Sequence, residues 1–219
     1  MARTGWLVPL MALALVGIAT APRAAAQTSP DQASRFVETL GGRAVTLFAK
    51  YGDGDARQLQ AELQNLIHEG FDLDMISRFA LGSAWHTATP AQRQEYQTLF
   101  ATWTAESYAN RLGADKGGSL TVLGAQAGSN QLGSDPADAF VQTRIKRSNG
   151  TSIDADLRVR ASVGGGMKIV DVTMGGVSMD VTQRDEFSAV IQREGLDGLI
   201  RELRTHVTGV DGNQKAARR

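Results

Sequence analysis

Two runs of alternating side chains, Phe140 to Arg147 and Thr151 to Ala161, flank Ser148-Asn149-Gly150, and only one register suits both of them. A two-residue Asn-Gly turn would set Val141, Thr143 and Ile145 beside Asp156 and Asp154. A three-residue loop with Gly150 left-handed instead pairs Ile145 with Ile153, Thr143 with Ala155 and Val141 with Leu157. It also stands Arg144 opposite Asp154 on the other face. The sequence therefore predicts an antiparallel sheet with one greasy face and one charged face.

Period-two patterning is confined to the middle of the chain. Leu120 and Val122 mark an earlier strand, a loop rich in Gly, Ser and Asp covers 127–138, and Gly164-Gly165-Gly166 turns into a last strand, Met167 to Met174. Everything before this block reads as helix. Ser29-Pro30-Asp31-Gln32 is a helix start, with Phe36, Val37, Leu40, Ala44, Leu47, Phe48 and Tyr51 behind it at helical spacing. Gly41-Gly42 costs that helix about 1 kcal/mol per Gly relative to Ala, so it has to gain from packing. A second helix carries Leu59, Leu63, Leu66 and Ile67 and ends at Gly70; a third runs from about Asp72 to Leu81. Thr89-Pro90-Ala91-Gln92 opens the longest, whose inner stripe is Tyr96, Leu99, Phe100, Trp103 and, off the line, Tyr108. After the strands, Thr182-Gln183-Arg184-Asp185 predicts a final helical region with Phe187, Val190, Ile191, Leu199, Ile200 and Leu203 inward and a break near Gly195. The expected fold class is α+β: about four antiparallel strands packed on one face by N- and C-terminal helices.

The N-terminus has a separate purpose. Arg3, the apolar run Trp6 to Thr20 and the small residues Ala24-Ala25-Ala26 have the build of a secretory signal peptide. The run is about 15 residues and contains Pro9, whereas a span needs roughly 20. The expected organisation is a signal peptide over 1–26, one domain over 27–208 and a flexible polar tail over 209–219. Cleavage removes two of the 23 basic residues and none of the 23 acidic ones, leaving no positive charge to attract nucleic acid. The chain has no Cys, which excludes disulfides, thiolate metal sites, a Cys nucleophile and a lipidated N-terminal Cys.

Enzymatic chemistry finds little footing. His68, His86 and His206 have no metal-ligand spacing, and no Ser lies in a G-x-S-x-G elbow. Gly164-Gly165-Gly166 joins two strands and leads into no helix, so it lacks the N-terminus of a phosphate loop. Asp53-Gly54-Asp55 reads as a turn with a helix cap, because the later ligands of a calcium loop are missing. Asp171 is a single carboxylate suited to structural hydrogen bonding. The expectation is a protein that is not an enzyme and carries no cofactor or metal.

The segment from Phe71-Asp72-Leu73-Asp74-Met75-Ile76-Ser77-Arg78-Phe79-Ala80-Leu81-Gly82, through Trp85, to Ala88-Thr89-Pro90-Ala91-Gln92 resembles the signature of the MlaC family, which includes toluene-tolerance and hopanoid-associated relatives. Further matches are Phe100, Tyr108-Ala109, Arg111-Leu112, Gly150, Ile169, Asp171-Val172, Gly176-Val177-Ser178, Arg184 and Phe187, so the resemblance spans about Phe36 to Leu203. Three positions depart from it: Met167 for the usual Trp, Met174 for an acidic residue and His86 for a basic one. The resemblance implies a monomeric periplasmic carrier of phospholipid, with a lipid cavity between the sheet and the N- and C-terminal helices. Its partners would be an inner-membrane MCE-domain protein of an ABC transporter and an outer-membrane lipoprotein complex, and it would maintain outer-membrane lipid asymmetry. A carrier of hopanoid or another hydrophobic ligand, or a ligand-free scaffold module, is the alternative.

A sleeve for acyl chains needs apolar walls, and such binding is not directional, so broad tolerance of head groups is expected. On the helices the candidates are Phe71, Ile76, Phe79, Trp85, Tyr96, Phe100, Trp103 and Tyr108. On the sheet they are Val141, Ile145, Ile153, Leu157, Val159, Ile169 and Val172. The same aromatic stripe at helical spacing would equally fill a solid core.

Overall fold

The computed structural model describes residues 28–51, 54–112, 118–128, 135, 137–162 and 165–216; the expected signal peptide lies outside them. Pro30 occupies the first turn of α1 (Pro30–Tyr51), where its missing N–H costs nothing. Asp55 caps α2 (Ala56–Gly70) by accepting from the Gln58 N–H at 3.0 Å, and Asp72 caps α3 (Leu73–Leu81) through the Met75 N–H in the same way. A single turn, α4 (Ala84–Thr87), precedes α5 (Pro90–Leu112), which opens on a reciprocal box: Thr89 N–H donates to Gln92 Oε1 and Gln92 N–H to Thr89 Oγ1.

Five strands follow, paired in sequence order: β1 (Ser119–Ala127), β2 (Asp138–Lys146), β3 (Ser152–Ala161), β4 (Met167–Met174) and β5 (Val177–Ser178). All four ladders are antiparallel. The short β5 is a fifth strand beyond the four expected; two residues at an edge leave no periodic signal. The hairpin register is the predicted one, with Ile145 opposite Ile153, Thr143 opposite Ala155, Val141 opposite Leu157 and Gly150 at φ +85°. Arg144 Nε meets Asp154 Oδ1 at 2.7 Å, and this hydrogen bond holds the Asp154 carboxyl below its usual range.

The last helix, α6 (Met179–Ala216), starts earlier than Thr182. Its cap is Ser178, whose Oγ accepts from the Val181 N–H at 3.1 Å. The break predicted near Gly195 is present as a residue at φ 73°, ψ 174° inside the helix. The helix continues past Gly209, through most of the segment expected as a tail. No helix of the described residues is long and apolar enough to cross a membrane.

The helices form two groups. α1 and α2 lie on the apolar face of the sheet, where Val37, Leu40, Phe48, Leu63 and Leu66 meet Ala139, Val141, Ala155, Val159, Ile169 and Val172. α3, α5 and α6 build a second core of their own, with Ile76, Leu81, Tyr96, Phe100, Phe187, Leu199, Ile200 and Leu203. Gly41 shows why α1 tolerates its glycine pair: a Cβ there would stand 3.0 Å from the Leu120 side chain.

Candidate functional site: the seam between two cores

The two cores meet where the chain leaves α2. Phe71 pairs with Ile169 as a parallel bridge, and Asp72 N–H donates to Ile169 O at 3.0 Å, so α3 begins hydrogen-bonded to the edge of β4. The Phe71 ring packs against both cores. Farther along the same edge, Asp171 Oδ1 accepts from the N–H groups of Val172 and Asp180, joining the start of α6 to β4. Met179 completes the junction, packing on the sheet core while lining a cleft on the helical side.

An irregularity in β4 arranges this seam. Arg158 faces Asp171 and Val159 faces Ile169, so Val170 is an extra residue in the ladder. In an unbroken strand, Ile169 and Val172 would point to opposite faces. The bulge turns Asp171 toward the charged face and brings Ile169 and Val172 into one core.

Behind the seam lies a buried polar layer on the charged face. Asp138 is fully buried, with Arg160 Nε at 2.6 Å from Oδ1 and Arg160 Nη2 at 3.0 Å from Oδ2. Arg160 also reaches Asp135 at 3.0 Å, and Arg158 Nε stands 3.6 Å from Asp138. The second core has its own polar anchor: buried Tyr96 donates its hydroxyl to Ser77 O at 2.9 Å, and burial holds the phenol well above its usual pKa.

Two clefts open beside the α3–α5 contact. The larger, about 520 Å³, is wide and mixed, with Phe71 and Ala101 among Asp72, Asp74, Gln97, Thr102 and Lys168. Lys168 Nζ is committed to the carbonyls of His68 and Glu69 at the end of α2. The second, about 110 Å³, lies between α3, α5 and α6 and exposes Ile76, Phe100, Trp103 and Met179 beside Thr104, Ser107, Asp180 and Gln183. A third, about 90 Å³, runs between α1 and the β1–β2 end of the sheet.

The residues singled out from sequence are distributed among these places. Val141, Val159, Ile169 and Val172 are buried in the sheet core, with Phe71 and Leu157 packed on it. Ile76, Tyr96 and Phe100 are buried in the helical core, and Trp85 and Trp103 pack against it. Ile145 lines the small cleft beside Gly41 and Phe48, and Ile153, its partner in the ladder, is half-buried. Phe79 stands apart from both cores: it is 40% exposed, with the Arg184 guanidinium 5.0 Å from its ring centre. Trp85 is bracketed by Arg78 and Arg93, each 5.2 Å from its ring. The side chain of Tyr108 lies outside the described residues.

Sequence reasoning missed the aromatic partner on α6 as part of the same site. Phe187 sits 6.2 Å from both Tyr96 and Phe100 and 5.9 Å from Trp103, so four rings form one cluster. Its place on the apolar stripe of the last helix was visible, but the identity of the facing helix was not. Met179 and Asp180 were missed as well, because they precede the expected helix start.

An open antiparallel meander with one helical layer on its apolar face and a second joined along its edge strand, meeting at an apolar seam, defines an α+β protein built around an internal apolar junction. The chain belongs to the MlaC family, whose model, described as MlaC protein, matches residues 46–205. Among solved structures it is similar to the phospholipid-binding protein from Ralstonia solanacearum, determined in complex with a phospholipid. That match has 24% sequence identity and a TM-score of 0.66, and covers 82% of this chain and 99% of the other.

Proposed function

We propose that this chain is a periplasmic phospholipid carrier that takes acyl chains into the seam between the sheet core and the helical core. The observation that carries the reading is the apolar continuity of that seam, where Phe71 belongs to both cores and Met179 links the sheet core to the cleft beside Phe100 and Trp103. Membership of the MlaC family and the phospholipid-binding relative support it. The energetic need is plain. Each exposed methylene costs about 0.8 kcal/mol, so two long chains cost on the order of 20 kcal/mol to carry bare through water.

In this reading Phe71 walls the acyl chains on the helical side and Leu157, Ile169 and Val172 on the sheet side, with the cleft beside Phe100, Trp103 and Met179 opening onto them. The apolar clefts of about 110 and 90 Å³ fall below the roughly 300 Å³ at which ligand pockets begin, and the 520 Å³ cleft beside Phe71 is walled largely by polar groups such as Asp72, Asp74, Gln97 and Lys168, so in this reading uptake parts the helical layer from the sheet. An N-terminal signal peptide delivers the chain to the periplasm. There it exchanges lipid with an MCE-domain protein of an inner-membrane ABC transporter and with an outer-membrane lipoprotein complex, maintaining lipid asymmetry. Neither step calls for catalysis or a cofactor.

The deciding experiment is mass spectrometry of a solvent extract from natively purified mature protein. A stoichiometric diacyl lipid is the expected result, and a hopanoid would redirect the cargo class. Clean protein that also takes no lipid from vesicles would overturn the carrier reading in favour of a scaffold module.

A further inference from the structure

The cleft between α3, α5 and the start of α6 holds polar groups that its packing does not use. Asp180 is 9% exposed and borders the cleft, yet its carboxylate accepts no hydrogen bond among the described residues. Thr104, 8% exposed and on the facing wall, has a buried hydroxyl with no partner. A buried carboxylate is costly unless a positive charge or donors answer it. The charges around Asp180 do not supply that answer. Asp171 on β4 repels it, Glu186 on α6 adds a second acid to the cleft, and Arg158 on β3 is drawn to Asp138. The walls contributed by α3 and α5 are uncharged: Ile76, Phe100, Trp103, Thr104 and Ser107. Burial first, and Asp171 second, push the Asp180 carboxyl up to about 8 against the pull of Arg158.

A carboxylate, a hydroxyl and an aromatic ring lining one cleft suit one kind of ligand group, a cation with hydrogens to donate and an organic body to rest on an indole. A hard metal ion is a poor match, since it asks for six or more oxygens, and no cluster of three acidic or histidine side chains exists among the described residues. We propose that this cleft receives the ammonium of an amine-bearing lipid head group, held by the Asp180 carboxylate and the Thr104 hydroxyl beside Trp103. The inference rests on the lipid-carrier reading and adds direction to it: tail burial is indifferent to the head group, and this subsite is not. Binding fixes Asp180 in its ionised form, so amine-lipid uptake near neutral pH releases a proton to solvent.

The test offers mature protein to vesicles of equal phosphatidylethanolamine and phosphatidylglycerol, re-isolates it and measures the ratio of the two lipids bound. Wild type is expected to be enriched several-fold in the amine lipid. Asp180→Asn should return the ratio to that of the vesicles, and Thr104→Val should lower the enrichment part of the way. The ratio is independent of total occupancy, and Thr104→Val carries the test if Asp180→Asn does not fold. Equal uptake of both lipids by wild type, or enrichment that survives the substitutions, overturns the subsite and leaves the carrier reading standing. Uptake of neither lipid sinks both. Tight binding of free ethanolamine to lipid-stripped protein by calorimetry would assign the site to a soluble amine instead.

Discussion

Single residues separate what packs from what is merely present. Gly42 has open space around its Cβ position, so Gly42→Ala is expected to stabilise the protein by about 1 kcal/mol in denaturant titration. Gly70 is the opposite case. A Cβ there would lie 2.4 Å from a Leu40 methyl, and Gly70→Ala should cost on the order of 1–3 kcal/mol by overpacking. Tyr96→Phe removes a buried hydroxyl and leaves Ser77 O without its donor, a loss of about 1–2 kcal/mol. Asp180 gives a pH signature. Its carboxyl is raised in the folded state to about 8 from 3.8, so the folded chain holds a proton the unfolded chain has lost. Its stabilising contribution is therefore full below pH about 4 and declines as pH rises toward 8. Asp180→Asn should raise Tm more at pH 8 than at pH 5; an equal shift at both would mean the carboxyl titrates normally. The cost of Gly42 was legible in the sequence, but the pH signature was not: there Asp180 is one acid before a helix, and burial has no signature.

At the scale of elements the sequence was most informative where chemistry is local. The β2–β3 register followed from side-chain complementarity alone, because sliding it by one residue would bury Asp154 and Asp156. The caps at Asp55 and Thr89 followed from spacing. β4 was less transparent. Strict alternation from Ile169 sets Asp171 on the apolar face, and only the extra residue Val170 resolves that conflict. Deleting Val170 should therefore leave Ile169, Asp171 and Val172 alternating evenly on the faces they already occupy, and the variant is expected to unfold cooperatively; a broad, non-cooperative melt would contradict this reading of the bulge. The helix stripes on α5 and α6 predicted buried faces correctly but not their partners. Phe100 and Trp103 were expected against the sheet, and they pack chiefly with Phe187. Periodicity says which side of a helix is inward and nothing about what lies there. Ala155 shows the same limit. It faces Thr143 on the greasy side as the register requires, but it is 4% exposed in the core beneath α1 and α2, so Trp there would strain the fold itself. Ser107→Trp, at the cleft wall on α5, is the better probe and should lower lipid occupancy in the extract without unfolding the chain.

At the scale of the whole molecule, fold class was legible because a helix-strand-helix order with one greasy sheet face leaves few arrangements open, and family was legible in the resemblance carried by Phe71 to Gln92. The division into two cores was not, because it depends on contacts between stretches far apart in sequence. Gln92 and Asp197, hydrogen-bonded at 2.7 Å, are 105 positions apart. The same contrast governs the order in which the chain can fold. In the sheet every strand pairs with its neighbour in sequence, so each ladder closes only a short loop and pays little closure entropy. The α5–α6 contact must instead wait for the entire meander between them to be made. Assembly of such a chain is expected to make its local ladders first and dock the helical core, which has the least sequence-local reinforcement, last. Native-state hydrogen exchange should accordingly find the β2–β3 ladder opening last and α6 first. The layer proposed to move when a lipid enters would then be the one whose closure is the final act of folding.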